Sequence, residues 1–233
     1  MLNFSLKKGG VIYSKISKIL RIIPLKNGES QRFAIDEFRA EFAKKSVREP
    51  RILLVKKVFY KSDFPILSQQ FDLSPYNFPF LDVVNYKIKK NVIKPFQVSI
   101  FKYNHFRRRW RAVYSKYDKR QKTFSVKVRS SGTFALMRDI FFPEIKFHKP
   151  KKRLKKTVNF LMLILTDRGK GINDNTIRIK LNGKTIKEEF DPDWKRVRIK
   201  DLSALKRGKN ILKIKVKDYA RNETKKKFIF YLK

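Results

Sequence analysis

The sequence predicts an all-β chain built as two antiparallel β-sandwich domains in tandem. Three observations predict it. Apolar and charged residues alternate with a period of two, as in Phe38-Arg39-Ala40-Glu41-Phe42, Phe124-Ser125-Val126-Lys127-Val128 and Ile177-Arg178-Ile179-Lys180-Leu181. Turn signals recur between such segments: Asn27-Gly28, Ser131-Gly132, Asn182-Gly183, Asp191-Pro192-Asp193 and Arg207-Gly208. Helical spacing supports no more than a turn at Ser203–Lys206. Short strands separated by turns at roughly 8–12-residue spacing make sandwiches or barrels. No repeat of period ~20–50 residues points to a solenoid.

Taken in order, the first half offers strands at Gln31–Ile35, Glu37–Phe42, Arg51–Tyr60, Gln69–Leu73, Asn85–Lys89, Phe96–Tyr103, Arg109–Tyr114, Lys122–Arg129 and Thr133–Arg138. Each is rich in Ile, Val, Phe or Tyr, which suit a pleated, half-buried surface. Proline and charge interrupt the pattern at Asp139–Pro143, so the domains are expected at residues 1–139 and 140–233. The second half begins with Glu144–Phe147, followed by a stretch, His148–Lys156, with no strand signal. Thr157–Thr166 is apolar enough for burial on both faces. Ile177–Leu181 and Lys184–Phe190 flank Asn182-Gly183, a strong hairpin signal. Arg196–Ile199, Asn210–Lys217 and Lys225–Leu232 complete seven strands, the immunoglobulin-like number.

Composition narrows function mostly by exclusion. The chain has 233 residues, 59 Lys+Arg against 20 Asp+Glu, and a net charge of +39. With 42% hydrophobic and 14% aromatic residues it is no disordered basic tail. Zero cysteines exclude disulfides and thiolate sites. The two histidines, His105 and His148, stand far apart in sequence without the paired spacing of zinc ligands. Ser130 and Ser131 lack a Gly-x-Ser-x-Gly frame, no phosphate-binding glycine loop occurs, and Glu188, Glu189 and Asp191 sit beside an Asp-Pro turn. No enzymatic activity and no cofactor are expected. The longest apolar run, Phe160–Leu165, falls far short of the ~20 residues of a membrane span. Lys7, Lys8, Lys15, Lys18 and Arg21 break any apolar core of a signal peptide. The chain as written is thus cytoplasmic, or exported if Met1 begins a fragment of a longer protein.

The charge favours an anionic partner by long-range, salt-sensitive attraction; AT-rich codon bias is the other reading of the many lysines. Because the strands alternate, the outer sheet faces carry the charge. Two clusters are candidate anion sites. One is Arg107, Arg108, Arg109 and Arg111, a hairpin tip beside Phe106, with Trp110 turned into the core. The other is Lys149, Lys151, Lys152, Arg153, Lys155 and Lys156. Anionic cell-wall polymer or lipid headgroups are the expected partners, with nucleic acid the alternative. Asp167, Asp174, Asp218 and Asn222 end strands or sit in loops. They admit two readings: oxygen ligands for Ca²⁺, or caps that bend turns.

Four stretches carry a family resemblance in the second half: Asp167-Arg168-Gly169-Lys170-Gly171, Leu181-Asn182-Gly183-Lys184, Leu205-Lys206-Arg207-Gly208-Lys209-Asn210, and Val216-Lys217-Asp218-Tyr219-Ala220-Arg221-Asn222. Together they resemble a bacterial immunoglobulin-like module of surface proteins, with Arg221 where that pattern often has glycine. In the first half, Ala40–Val47, Phe71-Asp72-Leu73-Ser74-Pro75, Trp110-Arg111-Ala112-Val113 and Ser131–Leu136 are similar to the β-sandwich of ankyrins and netrin receptors; Ala43 and Lys45 replace its proline and glycine. The tandem resembles the C-terminal accessory region of exported bacterial proteins such as lysostaphin-type zinc endopeptidases of peptidoglycan. That resemblance implies envelope context, with the catalytic domain elsewhere.

Overall fold

The computed structural model describes the backbone of residues 3–8, 11–17, 21–149, 153–154 and 159–232, and side chains within 21–148 and 159–232. The chain divides into two compact units, Met1–Arg138 and Asp139–Lys233. Both are β-sandwiches. Among the described residues the sole helical element is a 3-10 turn at Pro95–Gln97. Ser203–Lys206, expected as a helical turn, is a bend closed by Leu205 N–H on Leu202 O at 2.8 Å. Asp201 caps it, accepting from Ser203 N–H at 3.0 Å, and a strand begins at Gly208 before a helix could propagate.

In the first unit, β1 (Asn3–Lys8) and β2 (Val11–Ser17) pair with each other. The sandwich follows: β3 (Arg21–Leu25), β4 (Gln31–Ile35), β5 (Phe38–Phe42), β6 (Arg51–Val58), β7 (Gln70–Ser74), β8 (Pro79–Lys89), β9 (Val98–Asn104), β10 (Arg109–Val113), β11 (Lys116–Asp118), β12 (Thr123–Ser130) and β13 (Thr133–Arg138). One sheet runs β10-β9-β13-β7-β6-β3 and the other β11-β12-β8-β5-β4. The alternation anticipated for β5 is what is seen: Phe38, Ala40 and Phe42 are buried while Arg39 is exposed. Between the sheets Phe38 stacks on Phe71 at 4.9 Å and Tyr86 meets Phe134 edge-on at 4.8 Å. Strand β3 escaped sequence reading because Pro24 lies inside it. Its place at the edge of the six-stranded sheet is where a strand tolerates a residue without an N–H.

In the second unit the strands are β14 (Glu144–Lys149), β15 (Arg153–Leu154), β16 (Leu161–Thr166), β17 (Ile172–Leu181), β18 (Lys184–Ile186), β19 (Glu189–Asp191), β20 (Arg196–Ile199), β21 (Gly208–Asp218) and β22 (Glu223–Leu232). The sheets are β14-β16-β20-β19 and β15-β22-β21-β17-β18. Leu163, Leu165, Ile179, Leu181, Val197, Leu212, Val216 and Phe230 fill the space between them. Two expectations are corrected. The strand foreseen over Lys184–Phe190 is two strands in different sheets. Ile186 holds β18 to β17, and β19 pairs with β20. The chain changes sheets at Lys187-Glu188, where two successive charges break the apolar alternation. The stretch His148–Lys156 is not wholly unpaired: Lys149 extends β14, and Arg153–Leu154 run parallel to Tyr231–Leu232. Such pairing of backbones leaves no apolar pattern in so short a strand.

Candidate functional site

Three carboxylates converge at one pole of the second sandwich. Asp167 follows β16, Asp218 ends β21, and Asp139 precedes β14. One oxygen of each lies within 4.8 Å of the others. Local chemistry explains how each arrives. Asp167 Oδ2 accepts the N–H groups of Gly169 and Gly171, both at 2.8 Å, curling the Asp-x-Gly-x-Gly loop about the carboxylate. Gly171 has a φ of +92°, which favours glycine. Gly169 leaves room instead: a Cβ there would collide with the Asp139 carboxylate. Asp139 in turn accepts Lys170 N–H at 2.6 Å and Phe141 N–H at 3.2 Å. Asn222 closes the β21–β22 turn by donating its backbone and side-chain amides to Asp218, both at 2.8 Å, and reaches Phe141 O at 2.9 Å.

The electrostatics of this pole are costly. Burial, with the neighbouring carboxylates, pushes Asp218 up to about 6. Burial also raises Asp139 and Asp167. Lys170 is held below its ordinary value by the same burial, opposed by the attraction of Asp139 and Asp218. Asp167 Oδ1 is buried without a hydrogen-bond partner. The arrangement can do two things chemically: lock the strand ends through backbone N–H groups, or offer three carboxylate oxygens to a cation in competition with the Lys170 ammonium. The residues able to hold such an ion are Asp139, Asp167 and Asp218.

Of the four residues expected there, Asp167, Asp218 and Asn222 meet at this pole, and Asp174 does not. Asp174 sits in a bulge of β17 between Asn173 and Arg178 and is exposed. The Thr176 hydroxyl bridges the interrupted ladder, donating to Asn173 O at 2.6 Å and accepting Lys217 N–H at 2.9 Å, so residues 174 and 175 loop outward. Asp139 was missed. The nearest carboxylate of the cluster in sequence, Asp167, is 28 positions away, and the interruption of the strand pattern at Asp139–Pro143 reads as a domain boundary. Asp139 at the boundary belongs to the second unit.

The opposite motifs serve a second polar knot. Asn182 and Gly183, at φ 50° and 92°, make the β17–β18 turn. The Asn182 amide donates to Ala204 O at 2.8 Å and to Asn210 Oδ1 at 2.7 Å, and its oxygen accepts Ile211 N–H at 2.8 Å. Buried Asn210 donates to Lys206 O and Gly208 O.

Most of the residues weighed for hydrolytic chemistry are engaged in packing or in turns. His105 lies against Tyr76 at 4.2 Å and edge-on to Tyr60 at 5.2 Å. Its Nε2 is 3.1 Å from Thr133 Oγ1, which donates to Asp72 Oδ1 at 2.7 Å. With the threonine proton committed, Nε2 is the donor. Burial depresses the imidazole pKa, favouring that neutral form. His148 is exposed on β14. The Ser131 hydroxyl donates to Pro75 O and accepts Phe78 N–H at 2.8 Å, while Ser130 accepts from Lys102 at 2.7 Å. Asp191 caps its turn by accepting the N–H groups of Asp193 and Trp194 at 3.0 and 3.1 Å.

Arg107, Arg108, Arg109 and Arg111 are all exposed on the β9–β10 hairpin. Asn104 Oδ1 accepts Arg107 N–H at 2.7 Å, and Arg108 adopts φ 46°, which reverses the chain. Trp110 is 5% exposed, 5.1 Å from Tyr103, and its indole N–H reaches Lys61 O at 3.2 Å. Alternation along β10 therefore sends Trp110 inward and the flanking arginines outward. Phe106 stands 95% exposed beside them. In the other cluster, Lys149 and Arg153 lie on strands whose side chains are outside the described residues, as are Lys151, Lys152, Lys155 and Lys156 altogether.

No protein-family model matches the sequence, and no curated protein does. Among solved structures the chain is similar to the fibronectin(III)-like modules of Clostridium thermocellum CbhA, with a TM-score of 0.32 and 14% identity over 65% of this chain and 86% of that one.

Proposed function

We propose that this chain is a non-catalytic accessory or adhesion segment of the cell envelope that holds an anionic wall polymer on its basic surface. The observation that carries this reading is the arginine tip. Four guanidinium groups project from one tight hairpin, and among the described residues none of them meets a carboxylate. A guanidinium is a rigid fork matched to phosphate oxygens. Trp110, locked beneath, fixes the hairpin from which they project. The resemblance of the tandem to accessory regions of exported proteins supplies the envelope context; any peptidase chemistry would belong to a neighbouring domain.

Replacing Arg107, Arg108, Arg109 and Arg111 with Gln tests the reading. Binding to poly(glycerol phosphate), followed by titration calorimetry from 50 to 300 mM NaCl, is expected to weaken. The slope of log K against log salt should become shallower by about 3, from about 0.7 per lost phosphate contact. The fold should change by no more than about 0.5 kcal/mol. Trp110→Ala is the contrasting variant, costing about 3–5 kcal/mol of stability. Wild-type protein that ignores the polymer at physiological salt would leave the +39 to composition. Tighter binding to single-stranded RNA, with Phe106 as a stacking ring, would favour nucleic acid.

A further inference from the structure

The outward face of the five-stranded sheet in the second unit carries a grid of cations. Lys180, Lys213 and Lys227 lie abreast on β17, β21 and β22, and Arg178, Lys215 and Lys225 lie abreast one step along. Directly opposed residues on antiparallel strands stand about 5 Å apart at Cβ, and like charges so placed repel. Their stems enclose an open groove of about 360 Å³. Glu223 is the single carboxylate at the outward positions of β21 and β22. It pairs with Lys215 at 2.9 Å, Lys225 at 3.2 Å and Lys217 at 3.5 Å, which holds its carboxyl down to about 2. Among the described residues no carboxylate reaches Lys180, Lys213 or Lys227.

The other sheet of the same unit is built differently. There Glu189 faces Arg198, Asp191 faces Arg196, and Glu189 pairs with Lys200 at 2.9 Å. Compositional bias would load both sheets alike. One sheet mixes its charges and the other opposes lysine to lysine at a cost in stability, so the asymmetry calls for a ligand.

We infer that this face is a docking surface for a linear poly(phosphodiester) lacking bases, lying along the groove across the three strands. The inference rests on the anionic-polymer reading above and adds a site independent of the arginine tip. Five of the six grid cations are lysines, compact charges that neutralise successive phosphates without the planar forks or aromatic platforms used to read bases. Their aliphatic stems suit a polyol backbone between the phosphates.

The test uses the full chain and three probes: poly(glycerol phosphate), single-stranded RNA, and vesicles of phosphatidylcholine with phosphatidylserine. For Lys180→Gln/Lys213→Gln/Lys227→Gln the expected result is loss of poly(glycerol phosphate) affinity on the order of 100-fold at 50 mM NaCl. The salt slope should become shallower by about 2. The melting temperature should be unchanged or higher, since mutual repulsion is removed. If wild type binds the polymer, the tip variant weakens and the triple variant binds like wild type, the grid is not a site while the tip reading stands. If wild type binds no polymer, both fall. Preference for RNA or vesicles over poly(glycerol phosphate), lost in the triple variant, overturns the proposed occupant.

Discussion

Asp167 shows how one side chain can be both tied down and incomplete. Its Oδ2 takes two glycine N–H groups, while Oδ1 is buried without a partner among other carboxylates. Folding raises Asp218 from 3.8 to about 6, so this group takes up a proton on folding between those values. Its stabilising contribution is present below about pH 4 and lost as pH rises through about 6; Asp139 and Asp167 shift in the same direction. Asp167→Asn keeps an oxygen for Gly169 and Gly171 and puts an amide donor where the orphan oxygen lies. It is expected to stabilise the protein at pH 7 by about 1 kcal/mol and to flatten the decline between pH 5 and 7, as read by urea unfolding. A wild-type melting temperature that climbs with millimolar Ca²⁺, and a variant that no longer responds, would make the pole a cation site instead. Asp167 and Asp218 are legible as strand ends, since one follows the apolar run Phe160–Leu165 and the other the alternating segment Ile211–Lys217. Asp139 was not, because its role depends on a glycine thirty positions away having no side chain to collide with it.

The element that best explains the second sandwich is the β17–β18 hairpin. Asn182 supplies the positive φ of the turn and also bridges Ala204 O in the β20–β21 connection to Asn210 Oδ1 and Ile211 N–H at the start of β21. Ala at this position strains the turn and removes the acceptor of Ile211 N–H, while Asn210 Oδ1 keeps Lys206 N–H at 3.0 Å. A loss of about 2–3 kcal/mol is expected, combining a strained turn with an unsatisfied buried group. Asn182→Gly keeps the turn and drops the amide, so its cost should be smaller; chemical denaturation of both variants separates the two contributions. Equal losses would show that the turn conformation contributes nothing. The alternation in the sequence predicts both flanking segments, yet it merges β18 and β19 into one strand. Periodicity reports which residues face inward, not which sheet they join, and Lys187-Glu188 can end a strand or transfer it.

At the scale of the whole molecule, Asp139 decides where the second unit starts. A chain of residues 139–233 has its own core and both polar knots, and it is expected to unfold cooperatively by calorimetry. Starting at Ile140 removes the carboxylate that accepts Lys170 and Phe141 N–H groups. That should cost about 1–3 kcal/mol and roughly 4–8 °C of melting temperature per kcal/mol for a domain of this size. A 139–233 chain without a cooperative transition would mean that the units depend on each other. By itself the sequence determined the all-β class, most of the strands, and the inward place of Trp110 with arginines around it, because a period of two is a local property of the chain. Tertiary structure alone decided the rest. Three distant aspartates share one pole because three loops end there, a proline-bearing strand survives because it lies at an edge, and separate lysine-rich strands become one cationic grid because antiparallel register sets them side by side.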